Sequence, residues 1–218
     1  MMTKTKLLVM LAVLFSATAL FAQERVFQLD PAKSEVDFTL GDILHTVHGK
    51  FQLQSGVLRF DPAAGTASGE LIVDATSGNS GSNARDRKMK KEVLETQRFP
   101  TIVFTPQKVI GTVPSSGAAQ VQLQGVMTLH GEQHPMTIVV PVQVNGDTAS
   151  ALVHFDVPYV KWGLKDPSTL FLRVSKDVQI DVHAVGTLTT PTASDGRSHK
   201  PGRPLCAESH LKYPGRTS

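Results

Sequence analysis

Glu35-Val36-Asp37-Phe38-Thr39-Leu40 alternates strictly, with Val36, Phe38 and Leu40 on one side of an extended chain and Glu35, Asp37 and Thr39 on the other. An apolar face backed by a polar one is the signature of a half-buried antiparallel strand. The pattern continues outward from this stretch. Val47, Gly49, Phe51 and Leu53 give a second strand, Ser55-Gly56 marks a kink before Leu58 and Phe60, and Asp61-Pro62-Ala63-Ala64-Gly65 closes a hairpin. Further strands are predicted over 69–74, 101–105, 119–129, 136–144, 149–157 and 175–185, with Gly131-Glu132-Gln133 and Asn145-Gly146-Asp147 as tight connections. About eight strands in meander order predict an all-β chain whose sheet closes on itself.

One segment breaks the period. In residues 83–97, Met89, Val93 and Leu94 recur at helical spacing while the charged residues point away, and Pro100 bars continuation. A short crossing α-helix is predicted near 84–96. The polar run Ser77-Gly78-Asn79-Ser80-Gly81-Ser82 ahead of it reads as a flexible tether, so the helix is expected to lid one mouth of a barrel.

The ends of the chain differ from its middle. Residues 1–22 carry Lys4 and Lys6, an apolar run from Leu7 to Phe21 and a small Ala22, the pattern of a cleaved signal peptide. That run falls short of the ~20 residues that cross a bilayer as a helix, and no later stretch is longer, so no membrane span is predicted. Residues 189–218 lose the alternation and are rich in Pro, Gly, Ser and basic residues, which predicts a disordered basic tail. The intervening 23–188 is the expected single domain. Lys and Arg total 22 against 19 Asp and Glu, and the excess sits at the two ends, leaving a slightly acidic domain. That distribution excludes a nucleic-acid footprint. The single cysteine, Cys206, lies in the tail and cannot form an internal disulfide.

Residue types with catalytic potential do not assemble in the sequence. There is no Gly-x-Ser-x-Gly, no P-loop and no helical His-Glu-x-x-His. His130 and His134 bracket a turn, and with His45 or His48 they are the candidate metal set, but turn histidines bonded to backbone are the simpler reading, and no metal, cofactor or catalytic residue is assigned. Arg85-Asp86-Arg87 is the densest charge cluster of the domain. Asp86 suits the first turn of a helix, while Arg85 and Arg87 are candidates for a ligand's polar head at the barrel mouth. Phe38, Phe51, Phe60, Phe104, Phe155, Trp162 and Phe171 recur on or beside strands, and a barrel interior can either be filled by such residues or hold a ligand among them.

Seven pieces of sequence, in order, carry a resemblance. They are Phe27-x-Leu29-Asp30-Pro31-x-x-Ser34-x-Val36-x-Phe38, Leu44-His45-x-Val47-x-Gly49-x-Phe51, Gly56-x-Leu58-x-Phe60-Asp61-Pro62, Arg85-Asp86 with Met89, Phe99-Pro100-x-Ile102-x-Phe104, Gly125-x-Met127-Thr128-Leu129-His130-Gly131, and Val174-x-x-x-Val178-x-Ile180. Together they resemble the YceI-like family, the polyisoprenoid-binding proteins of bacteria, over about Val26 to Val185. The resemblance implies an extended eight-stranded antiparallel β-barrel, lipocalin-like in shape, with an apolar bore for a polyisoprenoid or similar amphiphile, in a periplasmic or secreted protein. The 157–168 segment replaces the Gly-rich stretch expected before the last strand, and Trp162 is expected to narrow the bore.

The expected function is therefore an exported carrier, not an enzyme, holding a polyprenyl, quinone-like or other amphiphilic lipid. Its apolar bore and mouth are assigned to Phe38, Leu40, Phe51, Met89, Leu94, Phe104, Leu129, Phe155 and Trp162. The alternative is a filled barrel acting in stress response or through a protein partner. The sequence leaves oligomeric state open, a homodimer included.

Overall fold

Strands form wherever the alternation predicts them, and the computed structural model describes residues 24–41, 46–169 and 173–191. The expected signal peptide and nearly all of the expected tail lie outside those residues, as do His45 and Phe171. In chain order the strands are β1 (Arg25–Leu29), β2 (Glu35–Gly41), β3 (Thr46–Asp61), β4 (Thr66–Asn79), β5 (Thr101–Ile110), β6 (Gly117–Leu129), β7 (Glu132–Asn145), β8 (Thr148–Val157) and β9 (Val178–Thr189). The last strand ends one residue beyond the expected domain boundary.

Nine strands make eight staves. β1 and β2 both pair antiparallel with β3 and with β9, β1 along Val57–Phe60 and Gly186–Thr189, β2 along Thr46–Phe51 and Gln179–His183. They are two halves of one stave, broken at Asp30-Pro31. There the Asp30 carboxylate accepts from Ala32 N at 3.1 Å, and Pro31 opens a single 3₁₀ turn to Lys33. The break is stitched to β9: Asp30 N donates to Val185 O, and Val185 N donates to Ser34 Oγ. With β3 also paired to β4, and β4 through β9 in sequential antiparallel order, the sheet closes into a barrel with no free edge strand among the described residues.

Two features of the sequence set the wall's curvature. The register of β3 against β4 slips between Leu53 and Ser55, so the apolar phase moves from Val47, Phe51 and Leu53 to Leu58 and Phe60, as the Ser55-Gly56 kink predicts. Glycines also make room for inward rings. A Cβ on Gly49 would lie 2.3 Å from Phe38 Cζ, and one on Gly125 would lie 2.7 Å from Phe104 Cζ. The β6–β7 hairpin turns on His130 and Gly131, both at positive φ (54° and 81°), and β7 begins at Glu132. This moves the connection one residue earlier than predicted. A type I′ turn needs two consecutive left-handed residues, which His130-Gly131 supplies.

The β7–β8 ladder is short. Pairing runs only from Asn145↔Thr148 to Val142↔Ala151, although β8 pairs with β9 along its whole length. One step further in the same register stands Pro141, which has no N–H to donate. Beyond it Leu152 is 68% exposed and Val139 43%.

The helical segment is shorter than predicted. α1 (Asn83–Lys88) passes directly into a π-helical turn, Met89–Val93, in which Leu94 N donates to Met89 O. Glu95, at φ 47°, ends it. The tether ahead of α1 is also not a free polar loop. β4 continues through Asn79, Ser77 Oγ donates to Asp74 O and accepts from Gln52 N, and Asp86 accepts from both Ser80 N (2.9 Å) and Ser80 Oγ (2.6 Å). The segment is thus anchored at both ends.

Candidate ligand-binding cavity

Inward parity builds the site. On β6, Val121, Leu123, Met127 and Leu129 point in, and on β7 Ile138, Val140, Val142 and Val144 answer them across a continuous ladder. The same parity on the other staves encloses a cavity of about 370 Å³. That is within the ~300–1,000 Å³ of ligand pockets and far above the ~10–15 Å³ that one water needs. Its lining is apolar except for Arg85, Lys88, Ser150 and Tyr159. Tyr159 is already satisfied, its hydroxyl donating to Ser175 O at 2.7 Å, and burial pushes its pKa up to about 12.

Eight of the nine expected bore residues line this cavity: Phe38, Leu40, Phe51, Met89, Leu94, Phe104, Leu129 and Phe155. Trp162 does not. The turn after β8 is closed by Trp162 N to Pro158 O and Leu164 N to Tyr159 O, which sends Tyr159 and Leu164 inward. The Trp162 indole instead stacks parallel on the His134 ring, with centroids 4.1 Å apart, beyond the cavity. Of the two expected polar mouth residues, Arg85 lines the cavity and Arg87 does not. Lys88, which the sequence reading passed over, takes that place, since three residues along a helix returns to the same face while two do not.

The mouth is framed by α1 and the turn after β8. Met89, Val93 and Leu94 face the cavity from one side, Leu164 and Pro167 from the other. Lys165 Nζ reaches Glu92 Oε2 at 2.7 Å and clasps the two together. The Glu92 carboxyl is held below its ordinary range by that hydrogen bond and then by the Lys165 charge. Burial alone would raise the Asp86 pKa, but the Ser80 hydrogen bonds, with Lys90 and Arg85 nearby, outweigh it and leave it lowered.

The histidines go separate ways. His48 Nδ1 lies 3.0 Å from Thr39 Oγ1 on the outer face, His130 packs on Phe99 and lies 3.7 Å from Glu95, and His134 sits under Trp162. Among the described residues no three His, Cys, Asp or Glu side chains gather at metal-ligand distance, and no helix is long and apolar enough to cross a membrane.

Fold and cavity together define a closed antiparallel barrel around an apolar bore. The chain belongs to the YceI-like domain family, which matches residues 27–186. Among curated relatives, a UPF0312 protein of Vibrio cholerae is 27% identical over 141 residues, 63% of this chain and 72% of that protein. One of Vibrio vulnificus is 28% identical over 137 residues, 62% and 69% of the two chains. Among solved structures, Burkholderia cenocepacia BcnA has a TM-score of 0.60 at 22% identity, covering 73% of this chain and 99% of that one. A polyisoprenoid binding domain from Saccharophagus degradans has a TM-score of 0.57 at 16% identity, covering 76% and 98%. At these identities the structural likeness bears on the fold.

Proposed function

We propose that the protein is exported and carries a polyisoprenoid, quinone-like or other amphiphilic lipid in its bore without catalysing a reaction on it. The cavity carries the reading: about 370 Å³ of space with an almost wholly apolar lining. Each methylene moved from water into such a lining gains ~0.8 kcal/mol, so a long hydrocarbon is bound without directional contacts. A barrel filled by its own aromatic residues would leave no such space. The YceI-like match, and the polyisoprenoid binding domain among the structural neighbours, support the same ligand class. Export rests on the sequence of residues 1–22.

Mass spectrometry of organic extracts from natively purified full-length protein tests the proposal. A lipid recovered near equimolar with the protein is the expected result. Empty extracts, together with no uptake of added isoprenoid, would sink it. N-terminal sequencing of the exported protein should begin at Gln23 or within a residue or two, and an intact Met1 would remove the export step.

A further inference from the structure

Charge at the cavity is one-sided. Its described lining includes two cations, Arg85 and Lys88, and no carboxylate. The carboxylates nearby are already engaged. Asp86 takes the Ser80 N–H and hydroxyl, Glu92 takes Lys165, and Glu95 takes Arg98 at 2.8 Å. Among the described residues the two cations make no close ion pair: their hydrogen bonds are long ones to carbonyls, Arg85 Nη1 to Ser80 O at 3.4 Å and Lys88 Nζ to Pro167 O at 3.5 Å, while their charges act at longer range on Asp86 and Glu92. Residues 83–94 carry five cations against two carboxylates, in a domain that is slightly acidic as a whole. Positive charge is thus concentrated at the mouth of an otherwise uncharged bore, where the low-dielectric wall strengthens its field.

We infer that the ligand is an anionic amphiphile, a carboxylate or phosphate head on an apolar tail, with its head held by Arg85 and Lys88. This rests on the lipid-binding reading and narrows it, because a neutral head gains little from two cations. A carboxylate or phosphate gains charge-assisted hydrogen bonds, bidentate from the planar Arg85 fork and single from Lys88. The two side chains stand three residues apart on one helix face, so both reach one head while the tail runs past Met89 into the bore.

The test uses delipidated full-length protein and three probes: palmitate, methyl palmitate and inorganic phosphate. The parent should bind palmitate about tenfold more tightly than the uncharged ester of the same tail. R85Q/K88Q should bring the two to within about twofold of each other by weakening palmitate more than its ester, and about 0.5 M salt should narrow the parent's preference in the same direction. Equal affinities in the parent, or a preference that survives the double substitution, would overturn the anionic head and leave the lipid bore standing. Inorganic phosphate bound as tightly as palmitate would mean a free-anion site and also overturn it. If neither palmitate nor its ester binds the parent, the lipid-binding reading falls as well.

Discussion

The two ends of the barrel are built differently. At the end where β5 meets β6 and β7 meets β8, Phe60, Val109, Val121, Val144, Ala149 and Leu188 are all buried, Val144 completely. Val113 turns in to line that end of the cavity, and Arg25 Nη1 pins the loop by donating to Val113 O (2.9 Å) and Pro114 O (3.0 Å). At the opposite end Met89, Val93 and Leu94 are only half buried, and the mouth is spanned by an exposed Lys165–Glu92 ion pair and a long contact from Lys88 Nζ to Pro167 O. One end is organised as a protein core and the other as an entrance. Stability and ligand access are thereby assigned to different residues, and substitutions can separate them.

The largest expected contrast comes from placing a charge at each end. Val144→Asp buries an unpaired carboxylate at a fully buried position of the sealed end, which costs roughly 3–5 kcal/mol and should leave little folded protein. Phe155→Glu puts the same charge in the open part of the bore, where water can reach it. The β-sheet circular dichroism should survive while co-purifying lipid is lost. Unfolding in both variants would mean that the mouth is core as well.

A middle-sized effect is expected at the sealed end from Arg25→Ala. The half-buried guanidinium gives up two hydrogen bonds to loop carbonyls, a loss of about 1 kcal/mol after allowing for its partial exposure, measurable by urea unfolding. Lipid affinity should change little. A large loss of affinity instead would show that the Val113 loop also shapes the ligand site.

Close-approach glycines report on the wall between the ends. Gly49→Val would drive a branched side chain into the Phe38 ring, an overpacking that typically costs ~1–3 kcal/mol. The paired change Gly49→Val with Phe38→Ala should recover part of that loss. No recovery would place the strain in the backbone.

Most of the barrel was legible because its code is local. Period-two alternation fixes which residues face in, so Phe38, Phe51, Phe104, Leu129 and Phe155 could be assigned to the bore before any pairing was known, and even the phase change in β3 was marked by Ser55-Gly56. What was not legible depends on geometry without a period. The turn after β8 has no alternation, so nothing in the sequence said that Tyr159 and Leu164 would point in and Trp162 out. Helical spacing itself places Lys88, three residues after Arg85, on the face of Arg85, and turns Arg87, two residues on, away from it. The strand over Arg25–Leu29 was not predicted from alternation, and only the pairing shows that it shares both neighbours with β2, so that nine strands make eight staves broken at Asp30-Pro31.

The smallest effect on stability, and the sharpest on access, is expected at the clasp. Lys165 and Glu92 are both well exposed, so Lys165→Ala should leave the unfolding transition almost unchanged. It should, however, leave the turn after β8 tied to the helical segment only by the long Lys88–Pro167 contact, and speed release of a fluorescent fatty-acid probe. pH supplies a second handle whose sign is fixed by the Glu92 shift. Its carboxyl titrates in the folded protein below the ordinary 4.5, so the clasp is present above the ordinary carboxylate range and is lost as pH falls through the lowered value. Probe release by the parent should therefore accelerate with acidification in that window, while Lys165→Ala is already fast and responds less. Identical release rates for parent and variant across the range would show that the ion pair does not hold the mouth, and would shift the control of access to the short β7–β8 ladder beyond Pro141.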